Sequence, residues 1–80
     1  MDYDSEKADE MALALLHLST FQERNSPLRA WKGIDWDIMN RLHEKGLISD
    51  PKSTAKSVTL TKEGAKLSRA MFEKYLHRKS

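Results

Sequence analysis

The chain contains no cysteine, and among its 80 residues there are only three glycines and two prolines. Without cysteine there is no disulfide framework and no thiolate metal site. The same absence fits a reducing compartment. Long hydrophobic runs are also missing. The longest, Met11 to Leu16, falls far short of the roughly 20 residues a membrane-spanning helix needs. The opening MDYDSEKADE is acidic and has neither the basic start nor the apolar run of a signal peptide. These absences predict a cytoplasmic protein with no membrane partner. There is no glycine-rich phosphate loop, no nucleophile elbow, no internal repeat and no low-complexity segment. His17, His43 and His77 fall on three different expected helices, and none has a second histidine three or four residues away. No metal site is therefore expected. The carboxylates sit where helix caps and helix surfaces use them. A chain this small also builds a thin core that hardly forms a cleft. No catalytic residue, no cofactor and no enzymatic activity are expected.

What is present is unevenly distributed. Residues 1–23 carry six acids and one base, a net charge of −5, and the rest carry thirteen bases and six acids, a net charge of +7. The basic part is spread out and interrupted by acids. It reads first as an ordinary solvated surface and second as a weak electrostatic footprint for nucleic acid. The length allows one domain spanning 1–80, with residues 1–4 and 78–80 expected to be loose.

Local signals define five elements. Asp4 or Ser5 caps a first helix to about Phe21, with Glu6, Asp9 and Glu10 favourably placed for its dipole. Ala8, Met11, Ala12, Leu15, Leu16 and Leu18 form its apolar stripe, with Leu13 and Ala14 outside the centre. The helix thus has about one and a half apolar faces. Either it is a central helix wrapped on two sides, or one side is covered by a second copy of the chain. A polar connection over 22–30 follows, and Arg29 to Lys32 can form a very short strand. Asp35 caps a second helix over 36–45, which Gly46 ends in a left-handed conformation. Leu47-Ile48 and the alternating Ser57-Val58-Thr59-Leu60 read as the arms of a β-hairpin around a polar turn. Thr61 caps a last helix to about Leu76 or His77, whose apolar face is Leu67, Ala70, Met71, Phe72, Tyr75 and Leu76. The fold class expected is α+β, mainly helical, with three helices and a small β-hairpin wing.

Two motifs carry a resemblance. Leu42-His43-Glu44-Lys45-Gly46-Leu47-Ile48 and Leu60-Thr61-Lys62-Glu63-Gly64 are similar to the end of a recognition helix and the end of a wing in winged-helix domains of the MarR type. The likeness covers roughly the C-terminal half. It implies a winged-helix-like fold, DNA binding, and dimerisation through the terminal helices. Two departures count against the implied activity. The segment from Phe21 to Asp35 shows no second apolar-periodic helix, and the wing carries Lys52 and Lys56 in place of an arginine-rich tip. The segment AWKGIDWDIMNRLHEKGLISDP also resembles a family of small bacterial proteins of unknown function, over most of the chain.

The first expectation for function is therefore a non-catalytic protein-interaction module that forms a homodimer through helices 5–21 and 62–77, with an unidentified protein as a further partner. The second is a DNA-binding regulator. In it Arg41 and Asn40 lie on the outward helix face with Asp37 and Glu44, and Lys52, Lys56, Arg29 and Lys32 add phosphate contacts. Trp31 and Trp36 are either staples holding the irregular 28–35 segment to the core, expected for at least one of them, or an exposed aromatic anchor for a partner.

Overall fold

Three short polar side chains start the three helices. The Asp4 carboxylate accepts a hydrogen bond from the Lys7 backbone N–H at 3.0 Å, opening α1 (Ser5–Leu18). Asp35 accepts from the Asp37 N–H at 3.2 Å, opening α2 (Trp36–Glu44). The Thr61 hydroxyl accepts from the Gly64 N–H at 3.0 Å, opening α3 (Lys62–Tyr75). Each cap satisfies a backbone donor that the first helical turn leaves without a partner. A computed structural model of the chain describes residues 3–22, 25 and 27–78. The expected looseness at 1, 2, 79 and 80, and part of the 22–30 connection, lie outside the described residues.

The end of α2 follows from Gly46, which sits at φ 76°. Its N–H donates to the His43 carbonyl and the Leu47 N–H to the Leu42 carbonyl. This paired bonding closes a helix while turning the chain, and it needs a residue tolerant of positive φ. Thr61 then locks the far side. Its hydroxyl donates to the Gly46 carbonyl at 2.7 Å, and its N–H donates to the Leu47 carbonyl at 3.0 Å. Gly64 lies so close to Leu47 that a β-carbon there would overlap the Leu47 carbonyl. The two sequence motifs, around Gly46-Leu47 and Leu60-Thr61-Gly64, are thus two halves of one junction.

The sheet differs from the expected hairpin. It has three antiparallel strands in the order β1 (Thr20–Phe21), β2 (Arg29–Trp31), β3 (Ser57–Thr59). Arg29 pairs with Thr59, Ala30 with Val58 and Trp31 with Ser57. The short strand at 29–31 was anticipated, but its role as the central strand was not. The Leu47-Ile48 arm shrinks to a single bridge between Ile48 and Leu60. The reason is local: the Ser49 hydroxyl takes the Thr59 N–H at 2.9 Å, and Pro51, with no N–H to offer, follows Asp50 into the turn. The first helix also ends earlier than expected, at Leu18, because Thr20 and Phe21 join the sheet. Three helices, nearly half the chain, and a three-stranded sheet make an α+β fold compatible with a winged-helix-like layout.

The core is a continuous cluster of Leu13, Leu16, Ala30, Met39, Leu42, Leu47, Ile48, Val58 and Leu60. Burial overturns the expected stripe on α1. Its inward face is Asp9, Ala12, Leu13 and Leu16, whereas Met11, Leu15 and Leu18 point away. Leu13 and Ala14, placed off-centre by spacing alone, are both only 1 % exposed. On α3 the inward residues are Gly64, Ala65, Ser68 and Met71, and Leu67, Ala70 and Leu76 stay on the surface. The His17 ring lies 4.9 Å from that of Phe72, and the Tyr75 hydroxyl donates to Glu10 at 2.6 Å, so α3 is seated along the flank of α1.

Candidate interaction surface

Three of the five basic residues expected at nucleic acid, Arg29, Lys32 and Arg41, are engaged within the chain. Arg29 spends its guanidinium on the neighbouring strand. Its Nε donates to the Ser57 hydroxyl at 2.8 Å, Nη1 to the Thr59 hydroxyl at 2.8 Å and Nη2 to the Ser57 carbonyl at 3.1 Å. Lys32 reaches across to the Ser53 carbonyl at 2.8 Å. Arg41 does not join Asp37 and Glu44 on an outward face. It turns to α1, donating from Nε to both Asp9 oxygens at 3.0 and 3.2 Å, with Nη2 2.9 Å from the carboxylate and 3.2 Å from the Tyr3 hydroxyl. Asn40 is half-buried, while Lys52 and Lys56 are exposed on the 50–56 turn. The structure brings Lys32 against the turn that carries Lys52 and Lys56, the Lys32 N–H donating to the Lys56 carbonyl at 3.1 Å, while Arg41 is turned away to Asp9 on α1.

Asp9 is the polar residue that sequence reasoning misplaced. It was assigned to the helix dipole, yet its side chain is only 3 % exposed. Lys45 is its second partner at 2.8 Å and also reaches Glu6 at 3.3 Å. Burial acts to raise the Asp9 carboxyl, but the hydrogen bonds and charges of Arg41 and Lys45 outweigh it and hold it below the ordinary aspartate value. Lys45 is raised in turn, chiefly by its bond to Asp9. A carboxylate with its lone pairs claimed by two cations is a clamp between α1 and α2, not a free base. The available signal was its position: Asp9 stands with Ala12, Leu13 and Leu16 at spacings of three, four and seven, on the core face itself.

Among the described residues, the outer side of α1 carries apolar side chains left exposed, as do Leu67 and Leu76 on α3. Met11 and Leu15 are each 48 % exposed and Leu18 62 %. Trp31 continues this patch. In β2 the buried residue is Ala30, and strand alternation sends Trp31 outward, 53 % exposed. Its ring stacks on Phe21 at 5.0 Å and borders a shallow hollow of about 200 Å³ lined by Leu15, Leu16, Ser19, Gly33 and Ile34. Trp36, in the first turn of α2, is 50 % exposed. Leu28, Ala30 and Ile34 of the same stretch pack on the core, while both tryptophans stay about half-exposed. Among the described residues no three metal-binding side chains cluster, and no helix is long and apolar enough to cross a membrane.

Comparison with known proteins agrees with the bacterial-family resemblance of the AWKG segment. "Uncharacterized protein y4hR" of Sinorhizobium fredii is 45 % identical over 78 residues, covering 98 % of this chain and 100 % of that protein. No solved structure matches the chain. A family model described as a domain of unknown function matches residues 4–78, nearly the whole fold, and the chain therefore belongs to that family, DUF6429.

Proposed function

We propose that this chain is a small non-catalytic interaction domain that pairs with a second copy of itself through the outer side of α1. The observation that carries the reading is the row of Met11, Leu15 and Leu18, exposed on the side of α1 turned away from the core and flanked by the half-exposed Trp31. From their fractional exposures, these four side chains present about 400 Å² to solvent, the size at which an exposed patch on a small protein tends to be functional. Two such patches bury at most about 800 Å², below the roughly 1,000 Å² that a stable specific interface clears, so the pair is weak and transient, with a dissociation constant in the micromolar range or above. The surface of α3 contributes less than the sequence suggested, because Met71, Phe72 and Tyr75 are already turned to the core and to α1.

Duplex DNA is the alternative implied by the winged-helix resemblance. Arg41, Arg29 and Lys32 are engaged within the chain, which favours the interaction reading over it. Sedimentation equilibrium from about 5 to 500 µM tests the proposal, a range chosen to bracket a micromolar dissociation constant. Reversible association is expected for the unaltered chain and its loss for Leu15→Asp. A compact monomer throughout that range removes the proposal.

A further inference from the structure

Strand alternation gives the three-stranded sheet two faces. Ala30 and Val58, both fully buried, lie on the inner one. Phe21, Arg29, Trp31, Ser57 and Thr59 share the outer one, because Phe21 pairs with Arg29, Arg29 with Thr59 and Trp31 with Ser57. This outer face is aromatic and basic. The Arg29 guanidinium lies across it, donating to the hydroxyls of Ser57 and Thr59. The Trp31 and Phe21 rings stack with centroids 5.0 Å apart and planes 30° apart. Trp31 is still 53 % exposed, so the stack has room for a further planar group.

Cations gather at the end of the same strands. The residue after Trp31 is Lys32, whose backbone N–H donates to the Lys56 carbonyl at 3.1 Å and whose ammonium donates to the Ser53 carbonyl at 2.8 Å. Lys52 and Lys56 are exposed on that turn. The acceptors of Arg29 and Lys32 are hydroxyls and carbonyls, which hold the side chains without cancelling their charge. Among the described residues no carboxylate pairs with Arg29, Lys32, Lys52 or Lys56, whereas Arg41, Lys45, Arg69 and Lys74 each have one. The acid of the turn, Asp50, accepts from the Lys52 backbone N–H.

We propose that the outer face of the sheet binds single-stranded nucleic acid, with an unpaired base stacked on Trp31 and the neighbouring phosphates held by Arg29, Lys32, Lys52 and Lys56. Four positive charges without carboxylate partners select a polyanion. An open aromatic ring beside them selects a polyanion that carries free planar groups. A duplex offers its phosphates but keeps its bases stacked inside. Helix α2 and Arg41 take no part, and self-association through α1 is not required. Stacking and phosphate contacts do not involve the sugar, so a DNA strand serves as the probe.

Fluorescence anisotropy of a labelled oligothymidylate of about twelve nucleotides, titrated with the full chain in about 50 to 200 mM salt, tests the proposal. A dissociation constant of about 1–100 µM is expected in the lower salt, with the matching duplex bound at least tenfold more weakly. Each phosphate contact on a single strand contributes about −0.7 to the slope of log affinity against log salt. Lys52→Ala with Lys56→Ala should therefore flatten that slope by about 1.4. Trp31→Leu keeps apolar bulk without a ring and should weaken binding about tenfold at an unchanged slope. Trp31→Phe should restore most of the loss. Far-UV circular dichroism checks that each variant keeps its helix content. No binding of the strand in the lower salt overturns the proposal, as does equal affinity for the duplex or a Trp31→Leu chain that binds like the unaltered one. Capture by vesicles of anionic phospholipid without binding of the strand overturns it in favour of a lipid-facing surface.

Discussion

Replacing Asp9 by asparagine removes one charge from the core side of α1 and leaves its shape. In the folded chain this carboxylate is 3 % exposed and accepts from Arg41 at 3.0 and 3.2 Å and from Lys45 at 2.8 Å. Breaking a buried ion pair by deleting one partner costs about 3–5 kcal/mol when the other charge stays stranded. Here the stranded groups are Arg41 and Lys45, 27 % and 35 % exposed, and both can swing back into water. The expected loss is therefore smaller, about 2–3 kcal/mol. At about 4–8 °C of melting temperature per kcal/mol for a domain of this size, Asp9→Asn should melt roughly 10–20 °C lower. Urea unfolding followed by far-UV circular dichroism measures it, with an unchanged denaturant slope showing that the unfolded state is not the cause. The acid limb supplies an independent check. A carboxyl held below its ordinary value of about 3.9 contributes stability in full above that pH, and the contribution is lost as pH falls through the depressed folded value. The gap between the unaltered chain and Asp9→Asn should thus be constant above about pH 5 and close below about pH 4. A change within about 0.5 kcal/mol of the unaltered chain at neutral pH, or a gap that persists unaltered into acid, refutes the clamp.

Three further outcomes follow from the geometry. Gly64→Ala drives a β-carbon into the Leu47 carbonyl and should cost about 2–4 kcal/mol, since backbone must move. Gly46→Ala meets no neighbouring atom but must hold φ 76°, so about 1 kcal/mol is expected in urea unfolding, and an equal or larger loss than Gly64→Ala contradicts the junction described above. Both tryptophans are about half exposed. Dilute protein should emit at long wavelength with ready acrylamide quenching, and in a Trp36→Phe background quenching of Trp31 should fall as concentration rises. Gel retardation of duplex DNA at low salt should be absent in the unaltered chain. If it is present and Lys52→Glu with Lys56→Glu abolishes it, the wing binds phosphate and the preference for the interaction reading reverses.

The parts of this fold that were legible in the sequence are those decided within one helical turn or one glycine. Asp4, Asp35 and Thr61 cap because each offers an acceptor to an N–H two or three residues ahead. Gly46 stops α2 because its own backbone takes positive φ. The alternation of Val58 and Leu60 needs only strand geometry. Tertiary structure decided everything that required choosing between equivalent local options. Helix α1 carries two apolar stripes, and periodicity cannot say which one is inside. The choice goes to the stripe containing a charge, because Arg41 of α2 and the cap residue Lys45 bind Asp9 on that side, and the sheet adds Ala30 and Val58 to the cluster that holds Leu13 and Leu16. The same choice turned Arg41 to Asp9 and left Met11, Leu15 and Leu18 outside. The register of β2 against β3, set by pairs 26 to 30 residues apart in sequence, put Ala30 in the core and so Trp31 in solvent. Local chemistry thus determined where the elements begin and end. Long-range pairing of charges and strands determined which face of each is left exposed.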